Sequence, residues 1–170
     1  MTGLERNSDV VKMASYAPLF ANIDGWQWSP DLIWVNSLQS YGTPDYYVQK
    51  LYSLNKGTKA VGITLNGEPV EGQDSLYSTA CIDEKTGELI IKLVNASGKS
   101  QSNVLALEGM QHLAPEGSVT VMQSDDLDAV NSFDQPERLI PQESVLPVKG
   151  KKITWVCSPY SFTILKIKML

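Results

Sequence analysis

Residues 43–57, TPDYYVQKLYSLNKG, divide the chain into two kinds of sequence. Thr43 is a residue type that caps helix N-termini. Pro44 suits the first helical position, where its missing N–H would have no partner anyway, and Asp45 places negative charge at the positive end of the helix dipole. Tyr47, Val48, Leu51 and Leu54 recur at helical spacing, and Gly57 supplies a stop. Before this predicted helix lies the apolar run Leu32-Ile33-Trp34-Val35, long enough for a buried strand. After it the pattern changes to period two and stays there. The helix is a hinge between two architectures.

On the N-terminal side, residues 8–21 predict another helix. Ser8 can cap it, and Val10, Ala14 and Ala17 fall on one stripe, with Met13 and Phe20 beside it. Pro18 opposes its last turn, so the helix is expected to reach at least Ala17. The loop 22–30 carries Trp26 and Trp28. Such rings can stack on sugar or can pin a loop to a core, and pinning is the expectation, since a loop that precedes the strand lies at the opposite end from the residues that follow it. Helix, strand, helix is the order of an α/β unit, yet one strand makes no sheet. Residues 1 to about 55 therefore read as the end of a larger α/β domain.

From Lys59 onward the signals are those of strands. They fall at 60–65, 76–82, 88–94, 102–107, 119–122, 153–157 and 162–167, with a hairpin over 76–94 closed at Lys85-Thr86-Gly87. Thr163, Leu165 and Ile167 share one face of the last strand, opposite Phe162, Ile164 and Lys166. Short strands about ten residues apart indicate an antiparallel sandwich or barrel.

Composition excludes several functions. A net charge of −5 and a pI near 4.8 argue against a nucleic-acid surface, which needs clustered Lys and Arg. The cluster Lys149-Gly150-Lys151-Lys152 reads as a solvated face. No run of about 18 apolar residues predicts a membrane helix, and residues 1–11 do not resemble a signal peptide. With one histidine, His112, no zinc site is expected, and no cofactor motif is present. Cys81 and Cys157 both fall in strand patterns, as buried thiols or as a pair. The loop carboxylates Glu68, Glu71, Asp74, Asp83, Glu84, Asp125, Asp126 and Asp128 read as solvated, without the glycine and spacing of a calcium loop.

Several blocks, NSLQSYGTPDYYVQKLYS, SDVVKMASYAPLFAN, WSPDLIW, NSFDQPERLIP and SPYSFTILKIK, resemble the C-terminal part of retaining α-L-arabinofuranosidases. The resemblance implies a fold that is mainly β: an antiparallel jelly-roll-like β-sandwich over 57–170, preceded over 1–56 by the last helix-strand-helix of a (β/α)8 barrel. Residues 31–36 would be the eighth strand, and Met1 an internal residue of a longer protein. Retaining hydrolysis needs two carboxyl groups about 5 Å apart. The family's two glutamates lie on earlier barrel strands, so no catalytic residue and no metal ligand is expected in this chain. Barrel active sites lie beyond the C-terminal ends of the strands. That placement makes Asn36, which matches a sugar-contacting amide of the family, and Gln39 the substrate-binding candidates. Their expected partners are the upstream barrel and an arabinose-containing polysaccharide or oligosaccharide, with homo-oligomerisation open and neither nucleic acid nor membrane involved. The chain alone would be structural and inactive. The alternative is a carbohydrate-binding β-sandwich module, which Trp155 disfavours by alternating with Ile153 and Cys157 as a core residue. Without its barrel, the segment 7–54 is expected to pack on the sandwich, pair with another copy, or lack order.

Overall fold

The computed structural model describes all 170 residues, Met1–Leu170. Its N-terminal third contains a short helix α1 (Thr2–Arg6), strands β1 (Phe20–Asn22), β2 (Ile33–Val35) and β3 (Ser40–Gly42), and helix α2 (Pro44–Leu54). Strand β2 is central in a three-stranded sheet, parallel to β1 and antiparallel to β3.

Helix α2 forms as its sequence dictates. The Thr43 hydroxyl accepts the Tyr46 N–H at 3.3 Å, and Pro44 occupies the first turn. Its end differs from expectation. Asn55 caps it, donating from Nδ2 to the Leu51 carbonyl at 2.9 Å. Gly57 instead serves close packing: a Cβ there would lie 2.7 Å from both Cys81 Cβ and the Ile82 carbonyl oxygen.

The β region holds β4 (Lys59–Val61), β5 (Thr64–Leu65), β6 (Glu68–Pro69), β7 (Leu76–Asp83), β8 (Glu88–Asn95), β9 (Gln101–Ala106), β10 (Glu116–Gln123), β11 (Gln142–Pro147), β12 (Lys152–Cys157) and β13 (Ser161–Lys168). A six-stranded antiparallel sheet runs β11-β10-β13-β8-β7-β4, and β12 pairs with β9 as a separate ribbon. The hairpin expected over 76–94 is β7–β8, in register from Leu76↔Asn95 to Asp83↔Glu88.

The central strands are buried on both faces. Leu89, Ile91 and Leu93 of β8, with Leu165 and Ile167 of β13, face the β9–β12 ribbon and pack with Ile153 and Cys157. Ile90 of β8 and Phe162 and Ile164 of β13 face the other way, onto Leu51 and Tyr52 of α2. The two-faced reading of residues 162–167 is therefore observed. It also explains why Leu, Ile and Val run almost unbroken through β8. Helix α2 is thus not a free remnant: it covers the six-stranded sheet.

Three expectations are corrected. Residues 8–21 are not a helix. Pro18 can neither donate a helical hydrogen bond nor avoid the preceding turn. The stripe that would have stabilised a helix packs on nothing within this chain: Val10 is 72% and Met13 88% exposed. The helical turn lies earlier, at α1. Residues 36–42 are expected from their polarity to be a loop, yet 40–42 form β3, and 142–147, where no strand is expected, form β11. Part of segment 7–54 packs on the β region through α2, while Val10, Met13, Phe20, Trp26, Trp28 and Leu38 stay exposed.

Cys81 and Cys157 are both free and buried, and they sit in the two different core layers. Burial pushes the Cys157 thiol up to about 11, against a smaller opposing effect from the Asn103 amide, and raises Cys81 as well. A buried neutral thiol favours the folded state below the unfolded thiol's pKa, and that contribution is lost as pH rises through the folded value. Unfolding free energy is expected to fall between pH about 9 and 11. Urea titrations across that range check this, with Cys157→Ala flattening the fall. Ellman's reagent should react with both thiols only after unfolding.

Candidate functional site

The site begins with the hairpin β2–β3. Asn36 follows β2 directly, and its Oδ1 accepts the N–H groups of Leu38 at 2.8 Å and Gln39 at 2.6 Å. The Asn36 N–H donates to the Gln39 carbonyl at 3.0 Å. One side chain thus closes the turn, as an asparagine in such a position does. Asn36 Nδ2 faces Gln39 Oε1 at 3.5 Å, so the turn brings the two amides together. The Asn36 oxygen is used by the backbone. What remains for a ligand is the Asn36 NH2 group and the Gln39 amide, which between them can donate to and accept from hydroxyl groups.

The hairpin is held from three sides. From β1, the Ile23 N–H donates to the Val35 carbonyl at 3.0 Å, extending the parallel ladder to the end of β2. From the loop after β1, the Trp26 ring stands edge-on to Trp34, centroids 5.6 Å apart. From the β region, Asn131 reaches Gly42 at the end of β3, its Nδ2 donating to the Gly42 carbonyl at 2.9 Å, and Phe133 meets Tyr41 edge-on at 4.9 Å. Trp34 and Tyr41 are directly paired across β2 and β3, so their rings share a face. A cleft of about 300 Å3 lies beside β3, lined by Ser40, Tyr41, Tyr46, Lys50 and Glu137 among others.

The sequence and fold of the chain have counterparts in known proteins. Residues 1–161 match the family model of the α-L-arabinofuranosidase C-terminal domain. The chain belongs to that family. It is 38% identical over 168 residues to α-L-arabinofuranosidase 1 of Arabidopsis thaliana, covering 96% of this chain and 24% of the relative. It is 33% identical over 169 residues to α-L-arabinofuranosidase A of Aspergillus niger, covering 97% and 25%. Among solved structures it resembles that of arabinose-bound MgGH51 α-L-arabinofuranosidase, with a TM-score of 0.89 and 29% identity over 100% of this chain and 26% of the other. The chain spans about a quarter of the length of the curated relatives it matches.

In this α-L-arabinofuranosidase C-terminal domain three of the carboxylates named from sequence have clear structural partners. Asp126 pairs with Arg138 at 3.2 Å and Glu71 with Arg6 at 3.1 Å. Asp83 accepts the Lys85 N–H at 3.0 Å and the Thr86 hydroxyl at 3.1 Å; these hydrogen bonds, the backbone one foremost, hold it below the usual carboxylate range. Trp155 packs half-buried against the core layer beneath the β9–β12 ribbon. His112 lies in the irregular connection before β10, its carbonyl accepting the Leu170 N–H at 3.0 Å beside the Leu113–Met169 bridge.

Two polar features of the domain escape a reading by pattern. Asn131 is buried in the polar segment between β10 and β11, where it accepts the Leu139 N–H at 2.7 Å and donates to the Leu139 carbonyl at 3.1 Å. The one available signal was its place in the NSFDQPERLIP block. Lys92, fully buried in β8, forms an ion pair with Glu5 of α1 and lies 5.1 Å over the Tyr52 ring. Nothing local signals it, because Glu5 is 87 residues away.

Proposed function

We propose that this domain is the supporting C-terminal part of a retaining α-L-arabinofuranosidase. The enzyme would remove terminal α-L-arabinofuranosyl groups from arabinose-containing polysaccharides. The observation that carries this is the family match over residues 1–161 in a chain spanning a quarter of its relatives. The catalytic acid/base and nucleophile are assigned to the remaining sequence, where two carboxyl groups about 5 Å apart would act by double displacement through a covalent arabinosyl-enzyme intermediate. The 170-residue chain by itself is expected to be inactive.

We further divide the domain at residues 56 and 57. The parallel pair β1–β2 and helix α2 support reading 1–56 as the end of a (β/α)8 barrel, without the first helix expected at 8–21. The core layer between the six-stranded sheet and the β9–β12 ribbon supports reading 57–170 as a jelly-roll-like sandwich. The upstream barrel is the partner proposed for the exposed Val10, Met13 and Phe20; a second copy of the chain would be detected by light scattering.

Asn36 and Gln39 are proposed to contact the sugar. They follow the C-terminal end of a strand that has a parallel neighbour, which is where barrel enzymes bind substrate. In the enzyme extended upstream, Asn36→Ala is expected to lower kcat/KM on a chromogenic α-L-arabinofuranoside by about 10–100-fold, the range for one lost hydrogen bond to a sugar hydroxyl that strengthens in the transition state. Gln39→Ala should lose less, because its backbone keeps the turn. An unaltered kcat/KM in Asn36→Ala would remove both amides from the site.

A further inference from the structure

We propose that Trp26 forms an aromatic wall of the substrate site, stacking on the sugar to which the terminal arabinosyl group is attached. The inference rests on the glycosidase reading above and deepens it. Taken from sequence order alone, the loop with Trp26 precedes β2 and would lie at the opposite end from Asn36. The structure reverses that placement. Strand β1 runs parallel to β2, in register from Phe20↔Ile33 to Asn22↔Val35, so the loop leaves β1 at the same end at which Asn36 leaves β2. A turn closed by the Gly25 N–H on the Asn22 carbonyl at 3.1 Å then brings the chain back along β2.

Trp26 is set at this end with one edge fixed and a surface free. Its partner Trp34 lies in β2, two residues before Asn36. The edge-on contact holds the indole while leaving it 50% exposed. Sugar rings present C–H groups on one face and hydroxyls around the rim. A fixed aromatic plane suits the first, and the neighbouring Asn36 and Gln39 amides suit the second. The ring's other role, pinning the loop, is met by the same contact with Trp34 and does not require the exposed surface.

The test uses the enzyme extended upstream and two substrates: an arabinose-bearing oligosaccharide and a chromogenic arabinofuranoside with a small leaving group. Trp26→Ala is expected to raise KM for the oligosaccharide about ten-fold more than KM for the chromogenic substrate, the size of one lost aromatic stack. Trp26→Phe should recover most of that selectivity and Trp26→Leu little of it. A ratio of KM values equal to the parent's in Trp26→Ala, or recovery by Leu as full as by Phe, overturns the proposal. Asn36→Ala in the same assays separates the two levels. If it is silent on both substrates, the site reading itself fails. If it is impaired while Trp26→Ala keeps the parent ratio, only the aromatic wall fails.

Discussion

Lys92→Ala lowers the unfolding free energy by about 3–5 kcal/mol, the cost of breaking a buried ion pair by removing one partner. Lys92 has no exposed side-chain surface, and Glu5 retains only 17%. In the substituted protein the Glu5 carboxylate keeps its desolvation and loses its counter-charge, and its Oε2 is already without a hydrogen-bond partner. The Tyr52 phenol, pushed well above its ordinary value first by burial and then by the Glu5 charge, stays neutral and supplies no counter-charge. The lysine ammonium also lies 5.1 Å over the ring of Tyr52, which stacks on Phe162 at 5.0 Å. Glu5→Ala should cost a similar amount from the other side. Lys92→Met combined with Glu5→Gln should cost far less than either alone, because it removes both charges and keeps the volume. Urea unfolding followed by tryptophan fluorescence gives all three values. Additive losses in the double variant would mean that the pair is not coupled.

Asn131→Ala should cost about 2–4 kcal/mol, from orphaning buried groups at roughly 1–3 kcal/mol each. One amide closes the loop on itself through both the N–H and the carbonyl of Leu139 and ties it to Gly42. A methyl group in its place would leave those backbone groups unsatisfied without room for bulk water. Gly42 cannot move freely to compensate, since a Cβ there would already lie 2.3 Å from Tyr46 Cδ1. The loss should therefore reach the β2–β3 hairpin, and with it the Asn36 turn. Hydrogen exchange checks the path: the Leu139 amide should exchange fastest, with the amides of Leu38 and Gln39 following. Exchange confined to residues 125–141 would show that this contact does not stabilise the hairpin.

Local chemistry made much of this fold legible. The cap at Thr43 and the proline at position 44 fixed helix α2, and Lys85-Thr86-Gly87 fixed the hairpin turn, because each acts within a few residues. The alternation in 162–167 gave both buried faces of β13. What failed depended on distant partners. Residues 8–21 carry a helical stripe, but a stripe forms a helix only with something to bury against, and Pro18 tips the balance. Strand β11, QESVLP, is exposed at each of its first four positions, so its hydrophobic pattern is weak; it is a strand because β10 offers an edge. Lys92 reads as a solvent-facing position in a strand until α1 brings Glu5 over it. At the candidate site, the family resemblance and the place after an apolar run make Asn36 and Gln39 the candidates, whereas the loop of Trp26, expected at the other end because residues 8–21 carry a helical pattern, leaves β1 at the end where Asn36 leaves β2.

The central claim, that this chain supports a glycosidase whose reacting carboxyls lie elsewhere, is tested by hydrolysis of a chromogenic α-L-arabinofuranoside. The 170-residue chain and the protein extended upstream through its barrel are assayed side by side. Turnover by the longer protein alone, with the short chain at the buffer rate, is the predicted result. Turnover by the short chain would contradict it and would place the acid and the nucleophile among the loop aspartates and glutamates of the β region.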